Sequence, residues 1–182
     1  MRSGRFRLGP ADGHVLLRTG RQGVGSMAGH DLTIEVTDWS AQADVPESGP
    51  TDATITARLE LGSLTVRDGT GGARPLTTRD RRDIEENARR TLDVDHHPTA
   101  AFESQRVVAD ADGGTISGTL TLHGTAAPAE IRLSRVAPDR YRGSAVVTQS
   151  THGIRPYSAL LGALKVRDEV EVEIEVDLTR AG

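Results

Sequence analysis

Cysteine is absent from the 182 residues, which removes disulfides, thiolate metal sites and cysteine nucleophiles together and suits a reducing compartment. Aromatics are scarce at 3%, with one Trp, two Tyr and two Phe, so bulky rings contribute little to filling an interior. No apolar run is long enough to span a membrane. The opening Met1-Arg2-Ser3-Gly4-Arg5-Phe6-Arg7-Leu8 carries positive charge without the apolar stretch of a signal peptide. A cytoplasmic location is the expectation. Concentrated positive charge is missing as well: the net charge is −4, and the one arginine-rich stretch, Arg79 to Arg90, is interleaved with Asp80, Asp83, Glu85 and Glu86. Nonspecific nucleic-acid affinity comes from clustered Lys and Arg, so no nucleic-acid partner is expected.

What is abundant is alternation. Val170-Glu171-Val172-Glu173-Ile174-Glu175-Val176-Asp177-Leu178 switches between apolar and acidic without a slip, a period of two that defines a strand with one wet and one dry face. The pattern recurs in Leu32/Ile34/Val36, Ile55/Ala57/Leu59/Leu61, Ile116/Gly118/Leu120/Leu122 and Tyr141/Gly143/Ala145/Val147. Many strands that each bury one side predict an all-β fold, a single antiparallel β-barrel of about eight strands formed by one domain over residues 1–182. Two segments change phase. Apolar positions are even through Val36 and odd from Trp39, then odd through Leu61 and even from Leu64. A one-residue shift is the work of a bulge or corner, so bends are predicted at Thr37-Asp38 and Gly62-Ser63. One α-helix is predicted near residues 78–92, capped by Thr77 or Thr78, acidic in its first half, closed by Arg89 and Arg90, with Ile84, Ala88 and Leu92 on one face covering a side or opening of the barrel. A short irregular or helical segment is expected near 153–164.

Chemistry is harder to place. His14, His30, His96, His97, His123 and His152 show no metal-ligand spacing, and the adjacent His96 and His97 point opposite ways in an extended chain, which reads as a polar turn after the helix. No metal site, cofactor or catalytic residue is expected. His30 or His152 beside an acid such as Asp31 or Asp168 leaves open a hydrolase or isomerase, although no serine lies in a nucleophile-elbow sequence. A protein-interaction module built on the acidic strand faces is a further alternative. The loop Gly23-Val24-Gly25-Ser26-Met27-Ala28-Gly29 lacks the Gly-Lys-Ser/Thr ending of a phosphate loop. The inward-facing sets are small, down to Gly118 and Gly143, and an eight-stranded barrel that large side chains can just fill is left with room by small ones. The competing reading is a solid core plugged by Trp39, Phe102 and the helix stripe.

In order along the chain, Ala28-Gly29-His30-Asp31-Leu32, Leu92-Asp93-Val94, His97-Pro98 before Phe102-Glu103-Ser104, Gly118-Thr119-Leu120-Thr121-Leu122-His123-Gly124-Thr125, and His152-Gly153-Ile154 leading to Leu164-Lys165-Val166-Arg167-Asp168-Glu169-Val170 resemble the YceI-like polyisoprenoid-binding proteins over nearly the whole chain. The resemblance implies an extended lipocalin-like barrel whose apolar interior binds, sequesters or transports an isoprenoid, an isoprenoid-quinone-like lipid or another long amphiphile, with homodimers among its members. On that reading Leu17, Ile34, Trp39, Leu59, Phe102, Leu122, Ala145, Val147 and Ile174 are the expected tunnel wall. His152, Arg155 and Tyr157 are the expected contacts to a pyrophosphate or quinone head, unless Arg155-Pro156-Tyr157 simply turns the chain.

Overall fold

In the computed structural model, which describes residues 3–179, the alternating segments pair into one antiparallel sheet. Met1, Arg2 and residues 180–182 lie outside the described residues, and with them the extreme ends of the expected domain. The strands are β1 (Gly4–Leu8), β2 (Gly13–Gln22), β3 (Asp31–Val36), β4 (Trp39–Val45), β5 (Thr54–Glu60), β6 (Leu64–Thr70), β7 (Thr99–Ala109), β8 (Gly113–Leu122), β9 (Thr125–Ala137), β10 (Arg140–Thr148), β11 (Ser158–Ala159) and β12 (Leu164–Asp177). Their order across the sheet is β1-β4-β5-β7-β8-β9-β10-β12-β2-β3-β6, with β11 paired to β12 outside that path.

Twelve strands replace the expected eight, for a physical reason. The predicted bends divide each of two long strands in two, into β3/β4 and β5/β6, while β1 is an extra strand beside β4 and β11 is a two-residue pairing. The two bent strands run together as one ribbon. Val36 lies opposite Leu64 before the corner and Trp39 opposite Leu59 after it. Between them Thr37 N–H donates to the Ser63 carbonyl at 3.4 Å and Glu60 N–H donates to the Asp38 carbonyl at 3.0 Å. The ribbon thus supplies both ends of the sheet: its β5 half pairs with β7 and its β3 half with β2. The sheet curls round because one ribbon belongs to both ends.

The acidic alternation at the C terminus becomes β12. Its Val170, Val172, Ile174 and Val176 face inward, while on the outer face Glu173 pairs with Arg18 at 2.8 Å and Glu175 with Arg142 at 3.2 Å. Such surface pairs add little stability and mainly keep the outer face wet.

The helix α1 (Thr78–Thr91) starts from a capping box in which the Thr77 hydroxyl accepts from Asp80 N–H and the Asp80 carboxylate accepts from Thr77 N–H. Its Ile84, Ala88 and Leu92 pack on the main core cluster, as the spacing of four predicts. Its neighbouring stripe does something the sequence does not announce. β6 ends the sheet, and the helix serves its outer edge with side chains: Glu85 accepts from Val66 N–H at 2.9 Å and Arg81 donates to the Val66 and Arg67 carbonyls at 3.1 and 2.9 Å, while Arg89 donates at 3.2 Å to the carbonyl of Gly62 in the turn just before the strand. Residues four apart on a helix line up on one face, so one stripe can satisfy several groups of a strand. Among the described residues no helix is long and apolar enough to cross a membrane.

Candidate functional site

The inward faces of the strands do not meet. They enclose, with α1, a cavity of about 780 Å³, within the range of roughly 300–1,000 Å³ common for small-molecule sites. Trp39, Phe102 and Ile34, each 5% exposed, belong to its wall and do not fill it, so the plugged-core alternative does not describe this interior. The source of the room differs from the expectation. A Cβ on Gly118 would meet the Glu103 carbonyl at 2.2 Å and the Phe102 ring at 2.7 Å, and one on Gly143 would lie within 3.4 Å of Ile131, Leu133 and Ile174. Neighbours already occupy both glycine gaps. The space comes from the alanines Ala41, Ala57, Ala129 and Ala145 on the lining.

Ten of the twelve expected contact residues line the cavity: Leu17, Ile34, Trp39, Leu59, Phe102, Leu122, Ala145, Val147, Tyr157 and Ile174. His152 and Arg155 do not. His152 is buried at 3% exposure, its Nδ1–H donating to the Thr125 carbonyl at 3.0 Å, because the turn of 3₁₀ helix at Gln149–His152 ends there and swings the ring into the fold. Arg155 is exposed. Tyr157 reaches the cavity beside α1, its hydroxyl accepting from Asn87 Nδ2 at 3.4 Å.

The polar end of the cavity is built from residues that periodicity does not flag. Arg21, His30, Arg74, Asp80 and Lys165 line it. Most are already engaged: Arg21 donates to the Gly29 and Thr70 carbonyls at 2.6 and 3.2 Å, His30 Nε2–H donates to the Arg74 carbonyl at 2.8 Å, and the Arg74 fork grips Asp80 at 2.7 and 3.0 Å. That fork, with Thr77 N–H and hydroxyl, holds the Asp80 carboxyl well below the usual carboxylate range. Lys165 has no side-chain hydrogen bond or ion pair among the described residues, which leaves an ammonium free at the lip. Neither suggested histidine–carboxylate pair forms. Asp31 accepts from Arg21 N–H and Asp168 from Ser150 N–H, each at 2.8 Å, while His30 and His152 are turned to carbonyls.

Two loops beside this end are apolar and exposed. Val24 and Met27 stand on one, Leu160 and Leu161 on the other, and Gly25 N–H donating to the Ala163 carbonyl at 2.8 Å ties the two together. Leu160 and Leu161 both hold left-handed backbone, φ 52° and 56°, a conformation that costs branched side chains energy and persists where the surroundings impose it.

The YceI-like domain profile matches residues 10–178. No curated protein sequence matches the chain. Among solved structures, BcnA of Burkholderia cenocepacia superposes with a TM-score of 0.60 at 12% identity, covering 89% of this chain and 94% of its own. A polyisoprenoid binding domain from Saccharophagus degradans, implicated in plant cell wall breakdown, gives 0.54 at 13% identity, covering 96% and 97%. The YceI protein of Campylobacter jejuni gives 0.54 at 16% identity, covering 79% and 81%. At these identities the likeness is one of fold.

Proposed function

The chain belongs to the YceI-like family, and from that premise we propose that it is a non-catalytic binder that sequesters or transports a long-chain isoprenoid or isoprenoid-quinone-like lipid. The observation that carries the reading is the apolar cavity of about 780 Å³ under α1, with polar groups gathered at one end. An amphiphile matches that division: the tail takes the Leu, Ile, Val and Ala wall, and the head meets Lys165 and the Tyr157 hydroxyl, one a cation and the other a donor and acceptor.

Magnitudes shape the behaviour. At ~0.8 kcal/mol per buried CH₂, a five-carbon unit is worth roughly 4 kcal/mol gross, so eight such units would exceed the ceiling near 20 kcal/mol for non-covalent binding if all were counted. Ordering the tail and withdrawing it from a bilayer oppose most of that gain. Affinity therefore tracks tail length weakly and the head group noticeably. The reading includes one domain over the chain, a cytoplasmic location and a homodimer in which the Val24, Met27, Leu160 and Leu161 rim meets a second copy. Cell fractionation and sedimentation velocity test the last two.

Native mass spectrometry of the protein purified from its own host, followed by lipid extraction, tests the binding. A co-purifying isoprenoid that leaves on organic extraction is the expected result. A protein that is ligand-free and takes up no isoprenoid quinone from detergent would overturn the proposal.

A further inference from the structure

Outside the cavity, the fold assembles a second group of side chains with its own chemistry. Asp93 follows the C-cap of α1, His97 ends the next turn, and His123 sits in the two-residue connection between β8 and β9. One ligand atom from each lies within 4.8 Å of the others. The His97 and His123 rings have centroids 4.9 Å apart and planes inclined at 58°, so they converge without stacking. We propose that Asp93, His97 and His123 form a binding site for a first-row transition-metal ion of the zinc, cobalt or nickel kind.

Local structure explains why these residues meet. His96 and His97 both turn their N–H groups onto the Asp93 carbonyl, at 3.1 and 2.8 Å, which curls the chain after the helix and brings His97 back over Asp93. The β8–β9 connection is His123-Gly124 with φ 52° and 72°, the positive pair that a two-residue hairpin turn of type I′ requires. Gly124 is needed twice. A Cβ there would be strained by the backbone and would lie 2.8 Å from His97 Cε1, so the missing side chain is the space into which His97 fits.

The donor set fits the ion. Two imidazoles and a carboxylate suit borderline divalent metals, whereas calcium and magnesium take oxygen alone. Metal-ligating histidines usually donate their second ring N–H to a carbonyl, which fixes the tautomer. His123 does so, its Nδ1–H donating to the His152 carbonyl at 3.3 Å, which leaves the Nε2 lone pair available. Bond lengths of about 2.0–2.2 Å hold ligand atoms some 3–4 Å apart, so a rotation of these half-buried side chains closes the site, and water takes the remaining positions. None of the three lines the cavity, but Leu92 and Leu122 beside them do. A bound ion would clip the end of α1 to the β8–β9 turn.

The untagged full chain titrated with Co²⁺ and Zn²⁺ tests this. Expected are 1:1 binding by calorimetry and a cobalt ligand-field band that zinc abolishes. His97→Ala and His123→Ala should each weaken binding by about 10-fold or more, and His14→Ala should not. If those variants fold poorly, proton spectra of the wild type decide: cobalt should shift the ring signals of His97 and His123 first among the six histidines. No 1:1 binding tighter than about 0.1 mM, shifts centred on other histidines, or unchanged affinity in the variants would each overturn the site. None of these readouts depends on lipid binding.

Discussion

Ala145→Phe separates a cavity from a packed core. Ala145 lies opposite Val172 on the inner face of β10 and lines the cavity. In a close-packed interior the added ring would force strain of about 1–3 kcal/mol or more. Facing about 780 Å³ of empty space, it can enter in a normal rotamer, and its stability change should stay within ~1 kcal/mol, a shift of about 2–4 °C in Tm for a chain of this length. The same ring displaces ligand. Losing the room for two methylenes, at ~0.8 kcal/mol each, is enough for a tenfold fall in affinity. Trp39 provides the assay. It is the one tryptophan and lines the cavity at 5% exposure, so an isoprenoid quinone bound inside quenches its fluorescence, and the choice of Phe keeps it the sole reporter. Quenching in the wild type, weakened tenfold or more in a variant that melts normally, is the expected result. A Tm drop beyond about 10 °C, together with no saturable quenching in the wild type, would refute the cavity and the binding function with it.

Leu64→Ala, at a side chain 1% exposed, should cost about 3–5 kcal/mol in ligand-free protein, whereas Leu120→Ala on the cavity wall should cost at least ~1 kcal/mol less, since one side of it already lacks partners; equal urea midpoints would contradict this. Glu85→Ala should destabilise by about 1 kcal/mol and speed hydrogen exchange at Val66 N–H, whose acceptor it removes; unchanged exchange there would show that the edge bond is not made in solution. Asp80 has a carboxyl lowered chiefly by Arg74. Such a group stabilises the fold above its unfolded value of about 4 and loses that contribution as pH falls through the lower folded value. Denaturation midpoints of wild type and Asp80→Asn should therefore differ at pH 6, with the gap narrowing steadily as pH falls below about 4, and a constant gap would count against the linkage.

The alternation of β12, the helix with its Ile84, Ala88 and Leu92 stripe and both strand corners were readable from period alone, because each is a local statement about which side of the chain is dry. The polar end was not. Arg21, His30, Arg74 and Lys165 come from four loops or strand ends without periodicity, while His152, placed there by proximity to Pro156, turns inward to Thr125. Gly118 and Gly143 misled for a related reason: a small residue reports a gap beside the backbone, and only pairing decides whether Phe102 or Ile131 has entered it. His97 and His123 are far apart in the chain, and only the hairpin and the helix-end turn bring them together. Their resemblance to metal ligands could not be read from spacing.

The outer edge of β6 depends on one helix. A strand edge normally left at the end of a sheet offers unpaired amides to any passing strand, and here Arg81 and Glu85 occupy it, with Arg89 holding the turn just before it. Detaching α1 therefore does two things at once: it opens the cavity and bares a strand that another chain can join. The same helix that covers the cavity keeps foreign strands out, so conditions that loosen it, such as removal of its Thr77 cap, convert a local opening into a risk of aggregation.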